Sequence, residues 1–360
     1  MIDALGPQLS GIGRYTWELC RYLPKAAGMS DVRFFGRGRR IDDPQVLLRG
    51  DEPSRRRRLP NVLRDAMTRR DLRAGLVHGP NYFLPPQVES GIITVHDLSV
   101  FRYPETHPAA RIVEFERQFA SSLARARHVI TDTETVRQEV IAYFSLREEQ
   151  VTAVPLGVDA HYRPHSADEL GPVLAALGLR SGGYALCVST FEPRKKIVEL
   201  LAAWQRLPKD VRNAVPLVLA GAAGWRNEAL HQKIEAGVAA GWLKHLGFVP
   251  EASLPPLYAG ATLFLYPSIY EGFGLPPVEA MASGVPVIVA ERSCLPEVCG
   301  GCARFVDPDD AEGFSAAIAA ALADETWRAQ ARASGLRRAA GYDWSRCAER
   351  TAGIYLANRG

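Results

Sequence analysis

Short apolar runs, each closed by a polar or glycine-rich turn, alternate along this chain with stretches whose apolar residues recur every three to four positions. In the first half, Gly91–Val95 is β-branched and delivers His96 and Asp97 at its carboxyl end. Val129–Thr131 and Val151–Val154 read as further strands. Between them, 111–127 has Ile112, Phe115, Phe119 and Leu123 on one helical face, and Thr133 caps a helix running through Tyr143. The second half repeats the alternation, with strands expected at 184–188, 217–220, 244–248, 263–266 and 285–290. Helices are expected at 197–206, 227–240 and 254–259, and again from Trp344 to Leu356. A polar stretch from His161 to Gly183, rich in loop formers, reads as the interdomain region. The pattern therefore predicts two α/β units, 1–165 and 166–343, followed by a helical tail at 344–360. Strand–helix alternation implies parallel sheets with ligands at the carboxyl ends of the strands.

Composition narrows the class. A chain of 360 residues suits two domains, and 47% apolar with 23% charged residues is ordinary for a globular protein. No apolar run reaches the length of a membrane span, and the first residues do not read as a signal peptide, so a cytoplasmic protein is expected. The net charge of +3 hides an asymmetry: 31–73 holds thirteen Arg against seven acidic residues, densest at Arg55–Arg58. Such a run is either a solvated loop or a basic face for an anionic membrane surface or a diphosphate-bearing lipid. Nucleic acid is disfavoured, since no aromatics interleave the run. Cys294, Cys299 and Cys302 lack a fourth ligand at metal spacing and read as reduced thiols.

The most informative segment is Tyr266–Gly284, Y-P-S-I-Y-E-G-F-G-L-P-P-V-E-A-M-A-S-G. Glu271 stands on a loop and Glu279 in the first turn of a helix, separated by a Gly272-Phe273-Gly274 turn, Leu275, and two prolines suited to a helix start. A helix start with exposed amides favours an anionic or hydroxyl-rich ligand.

This segment resembles the E-x7-E signature of the family 4 retaining glycosyltransferases, whose GT-B fold places two Rossmann-like domains face to face across a cleft. The resemblance implies that Glu271 contacts a donor sugar, Glu279 binds the ribose hydroxyls, and Gly272, Phe273, Gly274 and Leu275 hold the sugar and its phosphate. It also implies that the helical tail at 344–360 crosses back onto the first unit, and further motifs extend it. Ser10-Gly11-Ile12-Gly13-Arg14-Tyr15 matches a family glycine loop that closes over the donor phosphates or the acceptor, implicating Gly11, Ile12 and Gly13. Thr190-Phe191-Glu192-Pro193-Arg194-Lys195 matches T-x-E-P-R-K, implying that Lys195 binds the leaving diphosphate with Arg194 as helper. Relatives often carry Arg where this chain has Thr190, so Arg194 or Arg14 is expected to complete the clamp. His96 and Asp97 match a T-V-H-D-L motif, with His96 expected at the sugar or acceptor hydroxyl and Asp97 orienting it or receiving a proton. Phe248 and Val249 lie in an L-G-F-V segment whose backbone reads the nucleobase. Relatives open with a full strand of the form x-I-G-I-D-A. Here the chain starts Met1-Ile2-Asp3-Ala4, implying either a late start codon or a shortened strand.

The implied activity is transfer of a hexose, with GDP-mannose the preferred donor, to a glycan or lipid-linked acceptor with retention of anomeric configuration. No metal or other cofactor is implied, since no D-x-D closes a strand. The competing readings are a catalytically silent nucleotide-sugar-binding or scaffold module, and a nicotinamide oxidoreductase, the latter disfavoured by the missing third glycine of a dinucleotide fingerprint.

Overall fold

The computed structural model describes residues 1–50, 61–73, 75–222, 224 and 228–359. Arg55–Arg58 and Asn227 therefore lie outside the described residues. The chain divides into two compact units, Met1–Gly157 with Asp343–Gly360, and Val158–Tyr342.

In the first unit a hairpin of β1 (Phe34–Gly36) and β2 (Arg39–Ile41) precedes a parallel sheet. That sheet contains β3 (Val77–Gly79), β4 (Gly91–Val95), β5 (Ala126–Thr131) and β6 (Val151–Ala153), in the order β3-β4-β5-β6. Ile92, Ile93, Val95, Val129 and Ile130 are fully buried, as expected for strands covered on both faces. The helix expected through 127 stops at Ala124, because Ala126 already pairs with Gly91 in the ladder. Thr133 caps Glu134–Phe144 by accepting the Val136 amide at 3.3 Å. At the amino end, Ile2 donates to the Phe35 carbonyl and the Met1 amino group to the His78 carbonyl, each at 2.7 Å. These two residues run between β1 and β3 without forming a full strand.

The helix Trp344–Ala357 belongs to this same unit and packs on Gly11–Tyr22. Asp343 caps it through the Arg346 amide at 2.9 Å, and the Tyr355 hydroxyl meets His78 Nδ1 at 2.6 Å. Gly157 lies so close to it that a Cβ there would stand 2.3 Å from the Trp344 nitrogen.

The second unit is built on six parallel strands: β7 (Ala185–Val188), β8 (Leu217–Ala220), β9 (Leu243–Gly247), β10 (Leu263–Tyr266), β11 (Val287–Ala290) and β12 (Arg304–Val306). Their order is β12-β11-β10-β7-β8-β9. Helices Ile197–Gln205 and Ala311–Ala323 pack on one another over Leu219, Leu265 and Ile288, burying Trp204, Phe314 and Ile318. The unit begins earlier than the polar stretch suggested: the Val158 amide donates to the Tyr342 carbonyl, and the Tyr162 ring packs edge-on against Tyr258. That stretch also holds a helix, Ala167–Ala176, started by a capping box of Ser166 and Glu169 and burying Leu170 and Leu174. Among the described residues no helix is long and apolar enough to cross a membrane.

Candidate active site

Strand order locates the site. β7 connects onward to β8 on one side, while β10 continues to β11 on the other, so the direction of winding reverses between these two parallel neighbours. A reversal of this kind opens a crevice at the strands' carboxyl ends, where ligands of open α/β sheets bind. The segment after β7 carries Thr190, Glu192, Arg194 and Lys195. The segment after β10 carries Glu271 and the Gly-Phe-Gly turn.

The two segments meet there. Pro193–Lys195 forms a short 3-10 turn that ends at Lys196, held in the left-handed region at φ 53. This reversal separates the three adjacent bases. Lys196 points to Glu199 at 2.9 Å and Asp309 at 2.7 Å, whereas Lys195 and Arg194 enter the crevice. The buried Lys195 Nζ donates to Glu271 Oε1 and, at 3.1 Å, to the Tyr266 hydroxyl, which itself donates to Glu271 Oε1 at 2.9 Å. Arg194 is bracketed, with Nη2 3.1 Å from Glu192 Oε1 and Nη1 3.4 Å from Glu271 Oε2. Its Nη1 also donates to the Tyr270 carbonyl at 2.5 Å. Burial alone would raise the Glu271 pKa, but Lys195 and Arg194 together pull it down to about 2. Burial, then the neighbouring Glu271 charge, raises the Tyr266 hydroxyl well above its ordinary value. The loop is pinned from behind: the Ser293 hydroxyl donates to the Glu271 carbonyl at 2.7 Å and Cys294 Sγ at 3.1 Å. Cys294 is thus a buried thiol bonded to the loop backbone.

Gly274 sits at φ 85 and a Cβ there would meet Leu295 at 2.8 Å, so the turn into helix Leu275–Ala282 requires glycine. Because Pro276 and Pro277 carry no N–H, the helix start presents the amides of Gly274 and Leu275. Gly272 and Phe273 are buried, the latter ring edge-on to Tyr342 at 5.2 Å. Glu279 is half-buried beside Tyr258, whose hydroxyl is raised first by burial and then by that carboxylate. Thr190 is exposed and donates its hydroxyl to Glu192 at 3.0 Å. Phe248 projects from the end of β9 with 54% of its surface exposed, beside the buried Val249.

The first unit holds the remaining candidates. Ser10 caps helix Gly11–Tyr22 by accepting the Gly13 amide at 3.2 Å, leaving Gly11 and Ile12 at its accessible start. Arg14 pairs along the helix with the buried Glu18 at 3.4 Å. At the end of β4, His96 differs from expectation. Its Nδ1 bonds Asp132 Oδ2 and its Nε2 donates to the Pro80 carbonyl, both at 2.8 Å. Both ring nitrogens are therefore engaged within the protein, and the orienting carboxylate is Asp132. Asp97 instead accepts the Ser99 amide at 2.8 Å, capping the following turn. The motifs contain Tyr266 and Glu192 but gave neither a role, and Asp132 lies outside them. The signal available for Asp132 was its place just after β5, beside the end of β4.

Two α/β units, one with ion-paired side chains at a strand-order reversal, have the architecture of a GT-B fold. Comparison with known proteins agrees. Residues 180–338 match the family described as glycosyl transferases group 1, and 9–162 match that described as glycosyltransferase family 4. The chain is 38% identical to O-antigen chain mannosyltransferase B of Escherichia coli, over 96% of each chain. Among solved structures, WaaG, a glycosyltransferase involved in lipopolysaccharide biosynthesis, aligns over 98% of this chain and 97% of its own, with a TM-score of 0.72 at 16% identity. HepE of Anabaena, in complex with UDP and glucose, aligns over 84% of each chain, with a TM-score of 0.67 at 19% identity. The chain belongs to the family 4, group 1 glycosyltransferases and has the GT-B fold. It is a glycosyltransferase.

Proposed function

We propose that this enzyme transfers mannose from a nucleoside-diphosphate sugar, GDP-mannose, to a glycan or lipid-linked acceptor of surface polysaccharide, with retention at the anomeric carbon. The observation that carries this reading is the convergence of Lys195, Arg194 and Glu271 at the reversal between β7 and β10. Two cations beside a carboxylate suit a ligand that brings a diphosphate and a hydroxyl-rich ring to one place. The mannosyl assignment draws on the E. coli relative, named as an O-antigen chain mannosyltransferase.

In this reading Lys195 and Arg194 stabilise the charge that builds on the departing diphosphate. Glu271 accepts from a sugar hydroxyl, and Glu279 accepts from the ribose. The amides of Gly274 and Leu275 face the phosphate, while Phe248 and Val249 border the base. The displaced β-phosphate oxygen keeps the electron pair of the broken C1–O bond and assists removal of the acceptor proton as the acceptor oxygen bonds C1. Orientation and electrostatics supply the catalysis, and no metal is required. Arg55–Arg58 are proposed to bring the enzyme to the anionic inner surface of the membrane.

The test is a panel of nucleotide-sugars in a thermal-shift experiment followed by transfer assays on a soluble mannosyl acceptor. GDP-mannose should raise the melting temperature in a concentration-dependent way and support turnover. Stabilisation by a UDP-sugar alone would overturn the donor assignment. An inverted product would overturn retention.

A further inference from the structure

The charges of the site neutralise one another. Glu192, Arg194, Glu271 and Lys195 alternate in sign along one chain of contacts, and their side chains are between 4% and 12% exposed. The two cations that would grip a diphosphate are thus already bonded to carboxylates, and Glu271 touches both. Glu192 Oε2 is buried with no hydrogen-bond partner among the described residues, so that carboxylate has no further cation to draw on. With Glu271 ionised, the four groups sum to no net charge.

A ligand bearing a diphosphate must therefore share Lys195 and Arg194 with Glu271. An intact nucleotide-sugar compensates, because a sugar hydroxyl can donate to Glu271 as the phosphates take up the cations. A nucleoside diphosphate cannot. Its sugar is gone, and cleavage of the C1–O bond has left an added negative charge on the terminal phosphate, facing Glu271 in a buried site where like charges interact strongly.

We propose that Glu271 sets the preference of this site for the intact nucleotide-sugar over its nucleoside diphosphate, driving out the product after transfer. This rests on the donor-site reading above. The carboxylate is an internal competitor for the cations that hold the product, in addition to its contact with the sugar.

Calorimetric titration of the full-length enzyme with GDP, UDP and GDP-mannose tests this. Glu271→Gln keeps the side chain's shape and its acceptor oxygen for Lys195 and Tyr266, but gives the site a net positive charge. It should bind the nucleoside diphosphate at least tenfold more tightly than the wild type does. Its preference for the intact nucleotide-sugar should fall by a similar factor. Glu192→Gln, which leaves Glu271 in place, should tighten both ligands together. Unchanged or weaker diphosphate binding by a folded Glu271→Gln enzyme overturns the proposal. A second measurement needs no variant: the wild type should bind the β-methyl ester of GDP, which lacks the extra terminal charge, more tightly than GDP. Equal or weaker binding of the ester overturns the proposal. If no nucleotide binds the wild type at millimolar concentration, the donor-site reading fails together with it. Binding with an unaltered preference sinks only the role given to Glu271.

Discussion

His96 and Asp132 lie 2.8 Å apart because the strands that carry them are in register: Val95 pairs with Thr131, and each titratable residue is the next one along. The Nε2 proton is committed to the Pro80 carbonyl, so the pair holds a further proton between Nδ1 and the carboxylate. Burial alone would lower the imidazole pKa. Asp132, by charge and hydrogen bond, carries it above its ordinary value instead. Burial likewise raises Asp132, although His96 draws it down.

This gives a signed pH dependence. Relative to the unfolded chain, the folded pair holds its proton more tightly, so stability falls as pH rises. The His96 contribution should be complete below the ordinary value of 6.5 and disappear as pH climbs through the raised folded value. Breaking the pair with His96→Gln should cost about 3 kcal/mol near pH 6 and flatten the profile above it. Urea unfolding between pH 5.5 and 9 measures both. Parallel profiles for variant and wild type would show that the pair contributes no linked proton.

If Lys195 stabilises the departing diphosphate as proposed, Lys195→Ala should lower kcat/KM by about 10²- to 10³-fold. Binding of the nucleoside monophosphate should change far less. Equal losses in both would place Lys195 in general ligand binding and not at the leaving group.

Gly157→Ala should loosen the helix Trp344–Ala357, because the new methyl would collide with the Trp344 nitrogen, backbone that cannot move aside without the helix. Overpacking of this kind costs about 1 to 3 kcal/mol. A lowered melting temperature with early proteolytic loss of the carboxyl-terminal segment is the expected result. A silent substitution would mean that the helix moves freely.

Replacing Arg55–Arg58 with Gln should weaken association with vesicles containing anionic lipid, most visibly at low salt, while sparing turnover on a soluble acceptor. Vesicle flotation reads the first and a coupled assay the second. Undiminished flotation would remove the membrane role of this run.

Eight of the twelve described strands and the two halves of the crevice were legible because alternation and motif are local properties, whereas β1, β2, β3 and β12, each three residues long, are too short to show a period. The pairings were less legible. Lys195 and Glu271 could each be named from flanking residues, but their contact depends on β7 and β10 being neighbours, although β8 and β9 intervene in the chain. Asp97 was the natural sequence candidate to orient His96, yet successive residues along extended chain point to opposite sides, and the partner came from the adjacent strand. The helix Ala167–Ala176 was hidden by Gly171 and Pro172, which read as loop formers, although Ser166 and Glu169 announced its start. Tyr266 looked like an ordinary strand aromatic. Its hydroxyl matters only because strand order sets Lys195 beside it.

The return of residues 343–360 to the first unit bears on how the protein is made. Residues 158–342 form an uninterrupted segment whose two ends are joined by the Val158–Tyr342 hydrogen bond. That segment can therefore complete itself as it leaves the ribosome. The first unit, although translated earlier, must wait with the bed of its final helix uncovered until Trp344–Ala357 has emerged. The order of synthesis and the order of completion are reversed, and the amino-terminal half is the one with reason to meet a chaperone.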